Sequence, residues 1–290
     1  MEAFKQMFEA KCSQTKVQDK LERKYGLKSG SVARSDNQVQ AGWASMQGKR
    51  STQEDCVFCE FLNKDGMEVG CFGVFDGHGG PAASAYVCDN LPHNILNHDS
   101  FHSDLFKAVE EGFINTDQRY LKDDKHITND DGTTALFSMV VGQRLITAHV
   151  GDSRAVMHDG RQAVMLSRDH KPNRSDEKIR IEGSGGSVVW AGTWRVGGVL
   201  AVSRSFGNRL MKEFIIPHPE IREDILSEDA VTWVVLGSDG LWDVMSNEDA
   251  AKMARKSTSP EVAARKLATE AYLRGSEDNI SVLVCRVGRE

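Results

Sequence analysis

Acidic residues recur in this sequence where strand-like apolar runs meet turns. One carboxylate follows MEVGCFGVF, another follows RLITAHV, a third follows TWVVLGS, and others precede CVFCEFL and ISVLVCRV. The residues at these junctions are Glu54, Asp55, Asp76, Asp152, Asp239 and Asp278. Any one of them alone is typical of a turn, because Asp beside Gly is common turn chemistry. Five such junctions beside apolar runs instead predict an oxygen-rich cluster at one edge of a sheet.

A cluster of this kind limits the chemistry that the protein can perform. Carboxylates held close together must protonate, pair with bases or bind hard cations. Oxygen ligands without a set of Cys or His residues favour Mg²⁺ or Mn²⁺ over Zn²⁺. A carboxylate shared by two such ions, roughly 3.5–4 Å apart, would hold a water acidic enough to act as hydroxide near neutral pH. The pattern therefore predicts hydrolysis of a phosphate ester without a covalent enzyme intermediate.

Two basic residues near these junctions fit the same chemistry. Arg50 lies four residues before Glu54, and its planar guanidinium could hold phosphate oxygens. His78 lies two residues after Asp76 and could protonate a departing alkoxide, since its unperturbed pKa is near neutral. Taken singly, such an Arg is more often a salt-bridge partner and such a His a surface or capping residue.

The elements that must position these side chains are mostly short strands. Further strand-like runs are TALFSMVVG, SRAVMHDG, QAVMLS and GGVLAVS, and the pairs Gly142-Gln143 and Asp159-Gly160 have the chemistry of hairpin turns. Helical spacing is found in PAASAYVCDNLPHNIL and HSDLFKAVEEGFINTDQRYL, and two more helices begin at Ser246 and Ser259. Antiparallel strands with helices grouped between them predict an α+β layered domain.

Composition narrows the class of protein. The formal net charge of -6 argues against a binder of nucleic acid or of anionic membranes, and no apolar run reaches the roughly 18–20 residues of a membrane span. Six thinly spread cysteines, with no secretory leader before them, predict free thiols and a cytoplasmic or nuclear location. Residues 1–38 differ from the rest in composition, and we expect an amphipathic helix followed by a linker there.

Seven motifs in order resemble those of metal-dependent protein serine/threonine phosphatases of type 2C, in particular plant members. They span residues 42–287 and read GKRSTQEDCVF, FGVFDGHGG, DGTTALFSMVV, AHVGDSRAV, RVGGVLAVSRSFGN, GSDGLWDVMSNED and SEDNISVLV. The resemblance implies one catalytic domain over residues 39–290. It also implies a four-layer αββα sandwich, in which two antiparallel sheets are flanked by helices and a metal cleft lies at one edge.

The resemblance also implies roles for individual residues. Asp76 would bridge two Mg²⁺ or Mn²⁺ ions, with Glu54 and the Gly77 carbonyl serving one ion and Asp239 and Asp278 the other. Asp55 would hold metal-bound water, Arg50 would bind phosphate and His78 would act as general acid. A weaker third ion would be held by Asp152 and Asp239, with Asp243 as a further ligand.

A flap over residues 173–198 is implied beside this cleft, as the place where a regulator would dock. We expect Trp190 and Trp194 to pack the flap onto the body of the domain, and the protein to be a monomer.

The function expected from the sequence is hydrolysis of phosphoserine and phosphothreonine in phosphoprotein substrates. A hydroxide bridging two Mg²⁺ or Mn²⁺ ions would attack phosphorus. Two alternatives stay open from the residues alone. One is a metallohydrolase of small phosphoesters, and the other is a non-catalytic scaffold of the same fold.

Overall fold

The computed structural model describes residues 24–227 and 230–288, so most of the expected N-terminal helix lies outside the described residues. The described residues form sixteen strands: β1 (Lys28–Ala33), β2 (Val39–Met46), β3 (Cys56–Lys64), β4 (Met67–Phe75), β5 (Gly77–His78), β6 (Gly132–Thr133), β7 (Ala135–Val141), β8 (Arg144–Val150), β9 (Arg154–His158), β10 (Ala163–Met165), β11 (Val188–Trp190), β12 (Trp194–Val196), β13 (Phe206–Gly207), β14 (Glu220–Ile225), β15 (Thr232–Gly237) and β16 (Ile280–Val287).

The long strands form two antiparallel sheets. One has six strands in the order β1-β2-β16-β15-β9-β10, and the other has five in the order β14-β8-β7-β4-β3. The apolar cluster between them is built from inward residues of both sheets, among them Phe72, Leu136, Val234 and Leu283. This facing of two apolar surfaces is what makes the sandwich stable.

The described part of the chain has six helices, and five of them cover the outer faces of the two sheets. The six are α1 (Ala82–Leu96), α2 (Leu105–Lys122), α3 (Ser175–Gly183), α4 (Asp239–Trp242), α5 (Asn247–Arg255) and α6 (Pro260–Leu273). Helices α1 and α2 pack on the five-stranded sheet, whereas α4, α5 and α6 pack on the six-stranded sheet. The predicted α+β, four-layer αββα architecture is therefore confirmed.

Two helix starts predicted from the sequence use the expected caps. The Ser246 hydroxyl accepts a hydrogen bond from the Asp249 N–H (3.1 Å), and the Ser259 hydroxyl accepts one from the Val262 N–H (3.3 Å). Each hydroxyl satisfies a backbone donor that has no partner inside the helix. No helix in the described ranges combines the length and apolar character needed to cross a membrane.

Three segments differ from the sequence predictions. Residues 28–33, expected in a linker, form β1 and pair with β2, although their exposed faces lack an apolar alternation. The run GGVLAVS is not a strand, because Gly197 and Gly198 adopt positive φ angles of 58° and 75°. Helix α3 was not predicted, since its buried residues are only Glu177 and Ile181.

The expected flap contains α3, β11 and β12 around a small apolar cluster of its own. Trp194 packs against that cluster, but Trp190 is 64% exposed and contacts the Trp194 ring edge-on at 5.6 Å. The expectation that both tryptophans pack on the body is therefore wrong for Trp190. The short β11–β12 hairpin presents one face to the cluster and the other to solvent.

Candidate active site

The strand register brings the predicted carboxylates to one edge of the sandwich. Phe75 at the end of β4 pairs with Cys56 at the start of β3, so Asp76 lies beside Asp55. Gly237 at the end of β15 pairs with Val282 near the start of β16, which brings Asp239 toward Asp278. Adjacent antiparallel strands run in opposite directions, so the end of one necessarily meets the start of the next.

Three carboxylates converge most closely at this edge. Asp76, Asp152 and Asp239 each offer an oxygen that lies within 4.8 Å of the other two. They form part of the wall of a cleft of about 280 Å³. The predicted site residues that line this cleft are Arg50, Glu54, Asp76, Gly77, His78, Asp152, Asp239 and Asp278. Asp55 and Asp243 do not line the cleft itself.

Burial and mutual repulsion shift the acidity of this cluster. Burial, and then the charges of Asp239 and the other nearby carboxylates, raise the pKa of Asp76 well above its usual value. Burial, and then Asp152 and Asp278, do the same to the pKa of Asp239. The pKa of Asp55 rises to about 7, chiefly because the carboxyl is buried. Neutralising these groups requires either protons or cations.

Lysine and arginine side chains neutralise only some of the clustered carboxylates. Lys171 Nζ lies 2.5 Å from Asp152 Oδ2, and Arg50 Nη2 lies 2.6 Å from Asp278 Oδ2. Among the described residues, no lysine, arginine or histidine forms an ion pair with Asp76 or Asp239. The donor set is all oxygen, open to a cleft and short of positive charge, so it fits hard divalent cations.

Asp243 lies one helical turn beyond Asp239, and its backbone N–H donates to the Asp239 carbonyl at 2.8 Å. Burial raises the pKa of Asp243, and the charges of Asp152 and Asp278 raise it further. The charges of the cluster therefore affect the pKa of Asp243, although its side chain does not line the cleft.

Gly77 occupies a place that only glycine can fill. A Cβ there would lie 2.4 Å from the Glu54 carbonyl oxygen, well inside van der Waals contact. The absence of a side chain lets the backbone after Asp76 lie directly against the Glu54 segment.

Several residues that support the carboxylates were not assigned from the sequence. The Thr134 hydroxyl accepts from the Asp76 N–H (3.1 Å) and contacts the Ser153 hydroxyl (2.7 Å). The Ser238 hydroxyl donates to Asp55 Oδ2 (3.0 Å). The Asn279 Oδ1 accepts from the Glu54 N–H (2.9 Å). Thr134, Ser238 and Asn279 all lie in the motifs given above, but their spacing gave no signal for these contacts.

His78 is held by a partner that the sequence did not indicate. Its Nε2 lies 2.9 Å from Asn208 Oδ1, which also accepts from the Ser205 hydroxyl at 2.6 Å. Because the amide oxygen only accepts, the proton of His78 lies on Nε2. Burial lowers the pKa of His78. The hydrogen bond to Asn208 therefore fixes the ring at the wall of the cleft.

The raised pKa values of the clustered carboxyls predict how the stability of the metal-free protein depends on pH. A carboxyl whose folded pKa is raised stabilises the fold at low pH and loses that contribution as the pH rises through the folded pKa. We therefore expect Asp239→Asn to be more stable than the wild type in chelator at pH 8, by about 2 kcal/mol. The difference should vanish near pH 4. Thermal unfolding in EDTA across this range measures it.

The matched control for this prediction is Asp124→Asn, at an exposed carboxylate outside the cleft. Its stability should follow the wild type at every pH. Equal stability of Asp239→Asn and wild type at pH 8 would contradict the repulsion inferred for the cluster.

Comparison with known proteins agrees with this geometry. The family model described as protein phosphatase 2C matches residues 39–280. The chain belongs to the protein phosphatase 2C family. Members of this family are metal-dependent protein serine/threonine phosphatases, so the sequence resemblance and the predicted enzyme class are confirmed.

The family relatives include plant proteins. The chain is 50% identical, over 89% of its own length and 71% of the relative's, to "Probable protein phosphatase 2C member 13, mitochondrial" of Oryza sativa subsp. japonica. It is 46% identical to "Probable protein phosphatase 2C 52" of the same organism, over 90% of this chain but 53% of that one. A solved structure, the serine-threonine phosphatase 2C from Toxoplasma gondii, shares the fold. Its TM-score is 0.78 at 24% identity, with 90% of this chain and 99% of that chain covered.

The name of the first rice relative corrects one prediction. That protein is named as mitochondrial, so the predicted cytoplasmic or nuclear location is wrong on this comparison. The prediction relied on cysteine usage and composition. These features do not distinguish the cytoplasm and nucleus from other reducing compartments.

Proposed function

We propose that this phosphatase removes phosphate from phosphoserine and phosphothreonine with two Mg²⁺ or Mn²⁺ ions held at the carboxylate edge. The observation that carries the proposal is the convergence of three carboxylates, one buried and two half-buried, with oxygens within 4.8 Å of one another, in the wall of an open cleft. When bound, such ions lower the pKa of water to near neutrality and offset the negative charge of a phosphate. The residues of the chain would hold the ions, orient the phosphate and donate a proton to the leaving oxygen.

The proposed ligands divide between the two ions. Asp76 follows the strand end that lies beside Asp55, it is close to Asp239, and it would be shared by the two ions. Glu54 and the Gly77 carbonyl would complete one position, and Asp239 and Asp278 the other. A weaker third position would use Asp152 with Asp239 and Asp243. Asp55, fixed by the Ser238 hydroxyl, would orient water at the first position.

Arg50 would bind the phosphate of the substrate. Its side chain is 58% exposed at the cleft, and its partner Asp278 is one of the proposed ligands. If Asp278 held a cation, the Arg50 guanidinium would be free to donate to phosphate oxygens, for which its geometry allows two parallel hydrogen bonds. The residue would thus stabilise charge in the transition state as well as bind substrate.

His78 would supply the proton for the leaving oxygen, and leaving-group dependence tests this role. We expect His78→Gln to lower kcat on a phosphoserine peptide by roughly 10²-fold, because the Ser alkoxide needs a proton as it departs. Turnover of p-nitrophenyl phosphate should change little, since its leaving group departs unprotonated. An equal loss on both substrates would contradict the proton-donor role and indicate that His78 only positions the loop.

The class of substrate can be tested directly. We expect turnover of phosphoserine and phosphothreonine peptides to exceed turnover of phosphotyrosine peptides and nucleotides at equal concentration. A preference for nucleotides or small phosphoesters would instead favour the alternative metallohydrolase, and no turnover of any of them with Mn²⁺ would favour a scaffold.

The proposal extends to the bounds of the catalytic domain, the role of the flap, the oligomeric state and the cellular location. The catalytic domain would cover residues 39–290, extended by β1, with the flap over 173–198 as a docking place for a regulator and the protein a monomer. From the name of the rice relative we propose a mitochondrial location. Fractionation of tagged protein tests it, and enrichment in the cytosol would contradict it.

A further inference from the structure

The turn that carries Asp152 adopts a backbone conformation that needs support. Gly151 has φ of +94°, a region that disfavours other residues, and a Cβ there would lie 2.6 Å from Thr134. Asp152 itself is 5% exposed, so its carboxylate is fixed by its turn and by Lys171, with little help from solvent. Small shifts of this turn would move a carboxylate that faces Asp76 and Asp239.

His170 forms hydrogen bonds with both backbone groups of Gly151. The backbone N–H of His170 donates to the Gly151 carbonyl at 2.9 Å, and the Gly151 N–H donates to the ring Nδ1 of His170 at 3.2 Å. One residue from a distant segment therefore satisfies the donor and the acceptor of the glycine next to Asp152. A buried turn of this kind would otherwise leave those groups without partners.

The His170 ring is held by the hydrogen bond to Nδ1 and by stacking on one face. The side chain has 0% exposure, and the ring stacks on His149 with centroids 4.5 Å apart. Because Nδ1 accepts, the proton lies on Nε2, which faces Glu220 Oε1 at 3.4 Å. Arg174 pairs with the same Glu220 carboxylate. The negative charge of Glu220 beside Nε2 favours this same tautomer, in which Nδ1 accepts.

These contacts also exclude a second metal site at His149, His170 and Glu220, whose donor atoms lie within 4.8 Å of one another. His149 Nε2 donates to the Arg168 carbonyl at 2.9 Å, and His170 Nε2 carries its proton. Neither nitrogen has a lone pair to offer, and Glu220 is already neutralised by Arg174. The cluster is suited to orienting one ring and unsuited to holding an ion.

We propose that His170 is a positioning residue for the metal centre, which it serves by holding the Gly151 turn so that Asp152 faces the other carboxylates. The inference rests on the proposed function, because it needs Asp152 to be a ligand. It resembles the outer contacts that orient ligating side chains, whose loss typically costs about 10- to 100-fold in metal affinity. Here the contact acts through backbone and not through the ligand's own side chain.

Two substitutions of similar polarity separate this role from general packing. His170→Asn keeps an acceptor at the place of Nδ1, whereas His170→Gln keeps a polar group only at the place of Nε2. Both lose the stacked ring. We expect calorimetric titration with Mn²⁺ to show the weakest binding step about tenfold weaker in His170→Gln, and within about threefold of wild type in His170→Asn. Equal Mn²⁺ affinities in the two variants would overturn the proposal.

A measurement on the wild type covers the case in which His170→Gln does not fold. If the Gly151–His170 contact supports metal binding, metal must strengthen the contact by the same factor. We expect saturating Mg²⁺ to slow exchange of the Gly151 amide hydrogen about tenfold, with Gly142 in the β7–β8 turn unchanged. Unaltered exchange at Gly151 would overturn the proposal. Asp152→Asn tests the foundation separately: if it leaves every Mn²⁺ step unchanged, the third position of the proposed function fails.

Discussion

Asp76→Asn is expected to lower turnover of a phosphoserine peptide by roughly 10³-fold, a loss of about 4 kcal/mol of transition-state stabilisation. The amide has nearly the same shape as the carboxylate but no charge, so it cannot be shared between two cations. Asp76 is one of the three converging carboxylates, and its pKa is raised by burial and by four acidic neighbours. Steady-state kinetics at saturating Mn²⁺ measure the effect.

Two controls make this result specific. The variant should keep or exceed the wild-type unfolding temperature in chelator, because a repelling buried charge is gone. Its loss should lie mainly in kcat, since Arg50 can still bind phosphate. A variant that retains more than about a tenth of wild-type turnover would show that Asp76 is not shared between the ions.

Removal of divalent cations is expected to abolish activity altogether. After EDTA treatment and desalting, turnover should fall below about 1% of the starting value, because the proposed nucleophile is a water that only the cations make acidic enough to react. Adding Mg²⁺ or Mn²⁺ should restore it. The same additions should raise the unfolding temperature, since the cations bind only the folded cluster.

The reference for this experiment is Asp239→Asn carried through the same steps. Its unfolding temperature should respond less to added Mn²⁺ than that of the wild type, because one proposed position lacks a charged ligand. Identical responses of both proteins would mean that the stabilising ion binds elsewhere.

Much of the fold could be predicted from the sequence because its central strands are strongly apolar. The run ISVLVCRV coincides with β16, and the turn at Gly142-Gln143 joins β7 to β8 as expected. Strands β1 and β14 could not be predicted from the sequence because both lie at sheet edges. Their sequences, KSGSVA and EIREDI, keep polar residues exposed there. An edge strand is specified by its pairing partner more than by its own apolar pattern.

The sequence predicted which residue types form the candidate site, but it did not predict the residues that hold them in place. Acidic residues at strand ends can be read directly from the sequence, and the family motifs add expected roles. Which carboxylate neighbours which depends on register, and the contacts of His170, Asn208 and Ser238 join residues far apart in the chain. No local pattern encodes such contacts, because the fold alone brings the partners together.

The most direct test is to titrate metal-free protein with Mn²⁺ while measuring both the bound ion and the turnover of a phosphoserine peptide. We expect two ions to bind tightly per wild-type chain and activity to appear as the second position fills, with no more than one tight ion and no activity in Asp76→Asn. Full turnover by a chelated chain that binds no Mn²⁺ would contradict the account.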